Sequence, residues 1–404
     1  MSQQPFNPAN AVQDIQVFGE FGGVNPSITD SSTYTYLAGR TMEEVFGGER
    51  EGCYLYSRHL NPSASYLGQA LARLENTEFA QVTASGMGAI SAVLMQLCDA
   101  GDHIVSSRTI YGGTYAFMKH FLPRYNVTTS FVDTNNLDAV RAAIQENTKV
   151  LYCEVLSNPL LEVADIREMS KIAKEHNLML VVDNTFTPMI FSPKEMGADI
   201  VIHSLTKFIN GASDTVGGAV CGSKEFVLSL IDVNHGAAML LGPTMDSLRA
   251  AGILKNMHTL HVRMQQHSHN ANYLAHRFEE LGLRVLYPGL ESHPQHELFA
   301  DMGNPEFGFG GMLTLDVGEM QKAYNLLEAM QNANIGYLAV SLGYYRTLFS
   351  VSGASTSSEI PEEEQKTMGL SPGLIRFSIG LDHDIERTFH KMVQCMKDVG
   401  VLQD

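Results

Sequence analysis

The chain has 404 residues, of which 44% are hydrophobic and 18% charged, as expected for a globular protein with about two domains and a large core. A net charge of -17 and a pI near 5.3 argue against nucleic-acid or anionic-membrane binding, because either surface needs a basic patch. No apolar run approaches a membrane span, and the first ten residues lack the pattern of a secretory signal. The five cysteines are far apart and form no CxxC motif, which predicts reduced thiols in a cytoplasmic protein without a metal site.

The first 60 residues contain glycine pairs and little sustained periodicity, so we interpret them as an N-terminal arm. Within it, Tyr56 and Arg58 stand two positions apart and share a side if the segment is extended. A tyrosine hydroxyl and an arginine fork suit a phosphate group. A surface tyrosine beside a solvated arginine is the alternative interpretation.

From residue 64 to 260, apolar strand-like runs alternate with helix-like segments at the spacing of βαβ units. The predicted strands are 103–106, 127–132, 150–155, 178–182 and 200–203. The predicted helices are 66–74, 89–97, 137–146 and 166–176. Apolar strands separated by helices predict an α/β fold whose mostly parallel sheet is covered on both faces.

A small-residue segment precedes one of these helices, where Gly86 and Met87 follow Ser85. Small residues let backbone amides approach an anion, and the start of a helix adds a partial positive charge. The segment lacks the third glycine of a dinucleotide fingerprint and the Gly-Lys-Ser/Thr of a Walker loop. It therefore predicts a phosphate cup of another kind, with an ordinary tight turn as the alternative.

Two charged residues, Asp183 and Lys207, follow apolar runs and are predicted at the carboxyl edge of the sheet. A buried carboxylate needs a cationic partner such as a protonated pyridine nitrogen; a helix cap or turn is the alternative for Asp183. Loss of solvent favours the amine form of Lys207, which can then condense with a carbonyl. Ser204 and Thr206 lie on one side of an extended segment and offer two hydroxyls to a phosphate.

Beyond residue 242 the chain is mainly helical and is predicted to lead into a smaller C-terminal domain. That domain has predicted strands at 311–317 and 374–379 and a helix at 384–399, which fits an α+β cap. The histidines from His258 to His276 lack the HExxH spacing of a zinc site, and we interpret them as a solvated helix face.

The order of these features resembles the Cys/Met metabolism family of fold-type I enzymes, which carry pyridoxal 5'-phosphate. The segments that carry the resemblance are YSRHLNP (56–62), ASGMGAI (84–90), IYGGTY (110–115), the region of Glu154 and Asn158-Pro159, VVDNTF (181–186), HSLTKFINGASD (203–214), AVSLG (339–343) and LIRFSIGLD (374–382). The resemblance implies an aspartate aminotransferase-like fold and a tetramer built from dimers. It also implies an arm over 1–60 that contacts a neighbouring subunit, a cofactor-binding large domain over 61–260 and a small domain over 261–404.

The resemblance further implies a role for each candidate site residue. Lys207 would hold the cofactor as a Schiff base and then move protons, and Asp183 would keep the pyridine nitrogen protonated. Tyr111 would stack on the ring and protonate the leaving thiolate. Arg376, with the Ser341 region, would bind the substrate carboxylate. The remaining implied cofactor contacts are Gly86, Met87, Ser204 and Thr206 at the phosphate, Tyr56 and Arg58 from a neighbouring subunit, and Asn158 near the ring hydroxyl.

The implied reaction depends on the segment 341–359, which resembles that of the plant-type methionine γ-lyases within the family. It favours γ-elimination of L-methionine to methanethiol, 2-oxobutyrate and ammonia. The alternatives are a cystathionine γ- or β-lyase, an O-acetylhomoserine sulfhydrylase and a cystathionine γ-synthase. Three positions depart from common family members: Gly113 replaces a cysteine, Ala212 a histidine or glutamine, and Arg346 a glutamate. If Arg346 faces the pocket, a distal carboxylate on the substrate is attracted; if it faces solvent, it has no such effect.

Overall fold

The computed structural model describes residues 5–47, 49–50, 52–352 and 370–403. The predicted arm contains two short helices, α1 (Pro8–Gln13) and α2 (Gly39–Phe46), and a 3-10 turn at Glu20–Gly22, joined by extended chain. Asn7 caps the start of helix α1, because its side-chain oxygen accepts the backbone N–H groups of Ala9 and Asn10. These short helices were not predicted, because six to eight residues are too few for a clear periodic pattern.

The larger sheet has seven strands in the order β1-β7-β6-β5-β4-β2-β3. Its strands are β1 (Phe79–Thr83), β2 (His103–Ser107), β3 (Thr128–Val132), β4 (Thr148–Glu154), β5 (Met179–Asp183), β6 (Ile200–Ser204) and β7 (Gly218–Gly222). Strand β7 runs antiparallel to both of its neighbours, and the other pairs are parallel. The predicted strands are confirmed to within about two residues at each end, whereas β1 and β7 were not predicted.

Helices cover both faces of this sheet. They are α3 (Pro62–Glu75), α4 (Gly86–Leu97), α5 (Gly112–Ala116), α6 (Leu137–Ala143), α7 (Ile166–Glu175), α8 (Lys224–Ser229) and α9 (Ala237–Leu241). Because side chains alternate along a strand, Val182 and Val201 pack in the cluster that includes α3 and α7. Val181 and Ile202 pack in the cluster that includes α4. The predicted two-sided α/β arrangement is thereby confirmed.

The smaller sheet has five strands in the order β10-β11-β12-β9-β8. Its strands are β8 (Arg284–Leu286), β9 (Met312–Asp316), β10 (Gly336–Leu338), β11 (Thr347–Val351) and β12 (Leu374–Ser378). The helices of this half are α10 (Ser247–Met257), α11 (Leu260–Glu280), α12 (His296–Met302), α13 (Met320–Asn332) and α14 (Ile385–Asp398). The predicted C-terminal strands and helix are confirmed, and β8, β10 and β11 were not predicted. The domain limits at 60 and 260 remain predictions.

The prediction of a solvated histidine face on α11 is wrong for His267, whose side chain is fully buried. Its Nδ1 lies 2.6 Å from the carbonyl oxygen of Ile379. The reason is its place in an apolar stripe, because Met264 and Ala271 on either side of it are also buried. Over the described ranges, no helix combines the length and hydropathy that a bilayer span requires.

Candidate active site

A cleft of about 310 Å³ lies where the carboxyl ends of β4, β5 and β6 meet the start of α4 and the small sheet. The residues that line it are Ser85, Gly86, Met87, Ile90, Tyr111, Glu154, Leu156, Asn158, Asp183, Thr185, Phe186, Ser204, Thr206, Lys207, Val216, Val340, Leu342 and Arg376. Parallel strands present their carboxyl ends at one edge, which is why motifs far apart in sequence meet here.

The predicted phosphate cup is formed by the first turn of α4 and the end of β6. Ser85 caps the helix, since its Oγ accepts the backbone N–H of Gly88 at 2.9 Å. A Cβ added to Gly86 would approach the Cβ of Ser204 to 3.0 Å and its Oγ to 3.2 Å. A larger residue would therefore fill a space that is lined by helix-terminal amides and a hydroxyl. This donor set fits the phosphate of pyridoxal 5'-phosphate.

The hydroxyls of Ser204 and Thr206 both face the cleft, but not for the reason that the sequence predicted. Ser204 is the last residue of β6, and Thr206 lies in the turn that follows. Alternation along a strand therefore does not explain their common side. The turn brings both into the cleft, and the Thr206 Oγ1 accepts the Gly217 N–H at 3.1 Å.

Asp183 is the last residue of β5 and lies opposite Glu154 of β4 in the strand register. One oxygen of Asp183 accepts the Thr185 N–H at 2.9 Å. Burial raises the pKa of Asp183, and burial together with the Asp183 charge raises the pKa of Glu154. A cation beside Asp183 would restore its ionised form, and a protonated pyridine nitrogen is such a cation. The site thus fits the ring of the cofactor as well as its phosphate.

Lys207 lies in the turn after β6, and its Nζ donates to the Oγ of Ser341 at 3.1 Å. Burial, followed by the charge of Arg376, lowers the pKa of Lys207 from 10.5 to about 8. About one lysine in ten is therefore an uncharged amine at neutral pH, far more than at the usual pKa. Such an amine can add to a carbonyl.

Arg376 reaches the cleft from β12 of the small sheet and is 3% exposed. Its guanidinium donates to the Oδ1 of Asn158 at 3.1 Å and to the carbonyl oxygens of Val340 at 2.9 Å and Ser341 at 3.3 Å. Burial lowers the pKa of Arg376 to about 10, so the group stays charged at neutral pH. Because these three acceptors are neutral, the charge is available to an anionic ligand.

Tyr111 is held at the start of α5 by Glu154, whose Oε1 accepts the Tyr111 N–H at 2.7 Å. The ring, in a side chain that is 47% exposed, lies over Gly113. A Cβ added to Gly113 would come within 2.5 Å of the Tyr111 Cε1 atom. The absence of a side chain at position 113 therefore gives the ring its place.

Tyr56 and Arg58 do not line this cleft. The guanidinium carbon of Arg58 lies 5.8 Å from the centre of the Tyr56 ring, and its Nη1 donates to the Met239 carbonyl at 2.9 Å. The predicted cofactor contact of this pair therefore stays a prediction about a neighbouring subunit. All the other predicted cofactor and substrate residues are brought together at the cleft.

Sequence reasoning gave no role to Thr185, which connects two parts of the site. Its N–H donates to Asp183, and its Oγ1 accepts the Ser204 N–H at 2.8 Å. The feature of the sequence that could have indicated a role for Thr185 is its position two residues after Asp183 in the segment VVDNTF. Glu154 was part of a quoted segment too, but its bond to Tyr111 depends on tertiary structure.

Arg346 lies outside the cleft lining. Its guanidinium lies 5.0 Å from the centre of the Tyr337 ring and donates to the Asn334 carbonyl at 2.9 Å. The question left open by the sequence is thereby answered, because Arg346 does not place a charge in the pocket. Residues 353–359 of the segment that resembled plant-type enzymes lie outside the described residues. In the described ranges no cluster of three or more His, Cys, Asp or Glu side chains could hold a metal ion.

Comparison with known proteins agrees with this geometry. The model of the Cys/Met metabolism PLP-dependent enzymes matches residues 10–393. A methionine gamma-lyase of Arabidopsis thaliana is 48% identical over 94% of this chain and 88% of its own length. A cystathionine gamma-lyase of Bacillus subtilis is 37% identical over 94% of this chain and 95% of its own length.

Solved structures show the same fold. A cystathionine gamma-lyase of Lactobacillus plantarum in complex with L-serine matches with a TM-score of 0.86 and 28% identity, over 97% of this chain and 99% of that one. A Campylobacter jejuni protein that holds N'-pyridoxyl-lysine-5'-monophosphate matches with a TM-score of 0.88 and 28% identity, over 97% of this chain and 100% of that one. The chain thus belongs to the Cys/Met metabolism family of PLP-dependent enzymes.

Proposed function

We propose that the chain is a carbon-sulfur lyase that converts L-methionine to methanethiol, 2-oxobutyrate and ammonia. The observation that carries the proposal is the pairing in one cleft of Lys207, whose pKa is about 8, with the buried cation Arg376. The first group can bind the cofactor, and the second can bind an amino-acid carboxylate. The 48% identical relative bears the name methionine gamma-lyase.

The residues that hold pyridoxal 5'-phosphate follow from the site. The first turn of α4 at Gly86 and Met87, with Ser204 and Thr206, would bind the phosphate, and Asn158 would lie near the ring hydroxyl. When bound, the cofactor draws electrons from the substrate carbons and makes their protons easier to remove.

Protons are moved by the groups around the ring. Asp183 would keep the pyridine nitrogen protonated, because a cation beside this buried carboxyl offsets the cost of ionising it next to Glu154. Once the substrate amine has displaced it, the Lys207 Nζ would take a proton from the substrate Cα and then one from Cβ. The electron pair left on Cβ would then form the Cβ–Cγ double bond as the Cγ–S bond breaks. Tyr111 donates a proton to the departing sulfur, so that methanethiol leaves as a neutral thiol.

Substrate orientation is assigned to Arg376 and Ser341. The Arg376 guanidinium binds the α-carboxylate as a planar fork. Ser341 lies beside both groups, since its Oγ accepts from Lys207 and its carbonyl from Arg376. A substrate whose carboxylate binds Arg376 would therefore have its Cα near Lys207.

The cleft favours an apolar side chain on the substrate. Val216, Val340 and Leu342 line it together with Phe186, and Arg346 is not among the lining residues. An S-methyl group would be buried against such a wall, whereas these four apolar residues, among the described residues of the lining, offer no polar partner to the distal charged end of cystathionine. This observation favours methionine over cystathionine, although relatives of this chain include cystathionine gamma- and beta-lyases.

We further propose a homotetramer built from dimers, in which the arm brings Tyr56 and Arg58 to the phosphate of a neighbouring subunit. Its support is the exposure of large apolar side chains in the arm, including Phe21 at 100% and Val24 at 94%. The cofactor-binding unit would span residues 61–260 and the small domain 261–404. A cytoplasmic location is part of this proposal and is supported by five cysteines that form no disulfide.

The test is an absorbance spectrum of the purified protein with and without L-methionine, while 2-oxobutyrate and methanethiol are measured in the same sample. We expect a yellow protein that releases both products in equal amounts. L-Cystathionine distinguishes β-lyase activity, which gives pyruvate, from γ-lyase activity, which gives 2-oxobutyrate. O-Acetyl-L-homoserine with sulfide tests for a transferase. Faster turnover of either compound than of methionine would contradict the proposed substrate.

A further inference from the structure

Helix α11 contacts the lysine-bearing turn through Arg263. The Arg263 Nη1 donates to the carbonyl of Phe208, which directly follows Lys207. The Nη2 donates to the next carbonyl, that of Ile209, at 2.8 Å and to Asn256 at 3.1 Å. One guanidinium thus fixes two successive peptide units beside the lysine.

The sequence of the turn makes room for this contact. Gly211 has a φ of +70°, and a Cβ added there would collide with the guanidinium of Arg263. Burial lowers the pKa of Arg263 to about 10, so the group is charged at neutral pH. A partly buried cation that donates to carbonyls makes stronger hydrogen bonds than a neutral donor would.

The same helix contacts the chain that directly follows the strand of Arg376. About two turns beyond Arg263, the Asn270 Nδ2 donates to the carbonyls of Gly380 at 2.9 Å and Asp382 at 2.8 Å. Between them, His267 contacts the Ile379 carbonyl at 2.6 Å. Residues 379–382 directly follow β12, which ends at Ser378.

We propose that α11 sets the separation of Lys207 and Arg376, with Arg263 as the positioning residue of the lysine and Asn270 as that of the arginine. The inference rests on the proposed function of this cleft. Neither Arg263 nor Asn270 lines the cleft, so both act through the backbone they bind. An error of about 1 Å in either placement is enough to slow an enzyme roughly a hundredfold.

Substitutions at Arg263 and at Asn270 should cause different defects. Arg263→Met keeps the length of the side chain but leaves buried carbonyls without a donor. The lysine turn then relaxes, kcat for L-methionine falls by roughly a hundredfold, and KM changes by less than about threefold. The visible absorbance of the lysine-bound cofactor also shifts its pH midpoint, because the position of Lys207 has changed. Arg263→Lys, with one ammonium in place of the fork, should restore part of both effects.

Asn270→Ala should act on the carboxylate site alone. Since β12 shifts while the lysine turn stays in place, KM rises by roughly tenfold, and the pH midpoint of the visible band is that of the wild type. The matched control on the same helix is Arg277→Met, which removes an exposed ion pair to Glu280 and should leave kcat, KM and the band unchanged.

The experiment measures the visible spectrum against pH, then kcat and KM, for the wild-type holoenzyme and these variants. The inference is overturned if Arg263→Met lowers only the melting temperature, or if Arg263→Met and Asn270→Ala give the same change in kcat, KM and spectrum. Should Arg263→Met not fold, an Arg263→Lys protein with the wild-type spectrum and kcat overturns it equally. A wild-type protein without a visible cofactor band contradicts the proposed function instead. A yellow wild-type protein that does not turn over L-methionine contradicts only the proposed substrate.

Discussion

Replacing Arg376 by methionine tests the electrostatic link between the two sheets. The charge of Arg376 is one of two causes of the low pKa of Lys207, and burial is the larger. The substitution removes the charge while it keeps a long side chain in a position that is 3% exposed. We expect the pKa of Lys207 to rise, because the charged form of Lys207 is no longer repelled by the guanidinium of Arg376.

The size of the effect follows from the pKa of Lys207, which is about 8 instead of the usual 10.5. At pH of about 7.5, an amine with the usual pKa is uncharged in roughly one molecule in a thousand, and an amine with a pKa near 8 in roughly one in four. Since burial contributes the larger share, the Arg376→Met protein should keep a pKa closer to 8 than to 10.5.

The assay is the rate at which cofactor-depleted protein takes up pyridoxal 5'-phosphate, followed by visible absorbance over a range of pH. Only the uncharged amine adds to the aldehyde, so the rate rises with pH through the pKa of Lys207 and levels off above it. In the wild type we expect this midpoint near 8, and in Arg376→Met a higher one. Arg376→Lys keeps a charge and should stay near the wild type, and Arg346→Met is the control outside the cleft. A wild-type midpoint near 10.5, or identical midpoints in wild type and Arg376→Met, would refute the reasoning.

Other substitutions test single contacts. Lys207→Ala should abolish the visible cofactor absorbance and turnover of L-methionine, and a variant that retains full activity would remove the lysine from the mechanism. Gly113→Ala should displace the Tyr111 ring, whose Cε1 is 2.5 Å from the added Cβ; we expect kcat to fall by roughly tenfold with the melting temperature unchanged, and a wild-type kcat would contradict this. Glu75→Ala should leave His203, whose Nε2 lies 2.6 Å from Glu75 in a fully buried pair, without its partner. Urea denaturation should then show a loss of about 1–3 kcal/mol, because a buried hydrogen-bonding group is left unsatisfied, and a loss within error of zero would exclude a stabilising role for the pair.

Three of the strands that the sequence predicted differ from β1 and β7. The predicted runs 150–155, 178–182 and 200–203 are almost wholly apolar, as in a parallel sheet with both faces buried. Strand β1, FAQVT, includes a glutamine, and β7, GAVCG, begins and ends with glycine. Glycine and glutamine give little local preference for a strand, so the pairing of β7 with β1 and β6 is a tertiary effect.

The site could be predicted as far as its parts stand at element ends. Asp183 ends β5, Gly86 begins α4, and both positions follow from local patterns. The contact of Glu154 with Tyr111 could not be predicted, because it depends on how β4 aligns with the loop before α5. The orientation of Arg346 depended on the small sheet in the same way. Tyr56 does not line the cleft of its own subunit, so its predicted contact with the cofactor depends on a second subunit.

The link between Lys207 and Arg376 predicts that substrate binding changes the basicity of the lysine. A carboxylate that binds Arg376 offsets its positive charge, so the repulsion that helps to lower the pKa of Lys207 weakens. The lysine then becomes a stronger base at the moment when it must take a proton from the substrate. A small carboxylic acid without an amino group, such as propionate, reproduces this effect. At saturating propionate, the pH midpoint for cofactor uptake by the depleted wild-type protein should rise, whereas Arg376→Met should not respond. An unchanged wild-type midpoint, or an equal rise in both proteins, would show that the substrate carboxylate does not act on Lys207 through Arg376.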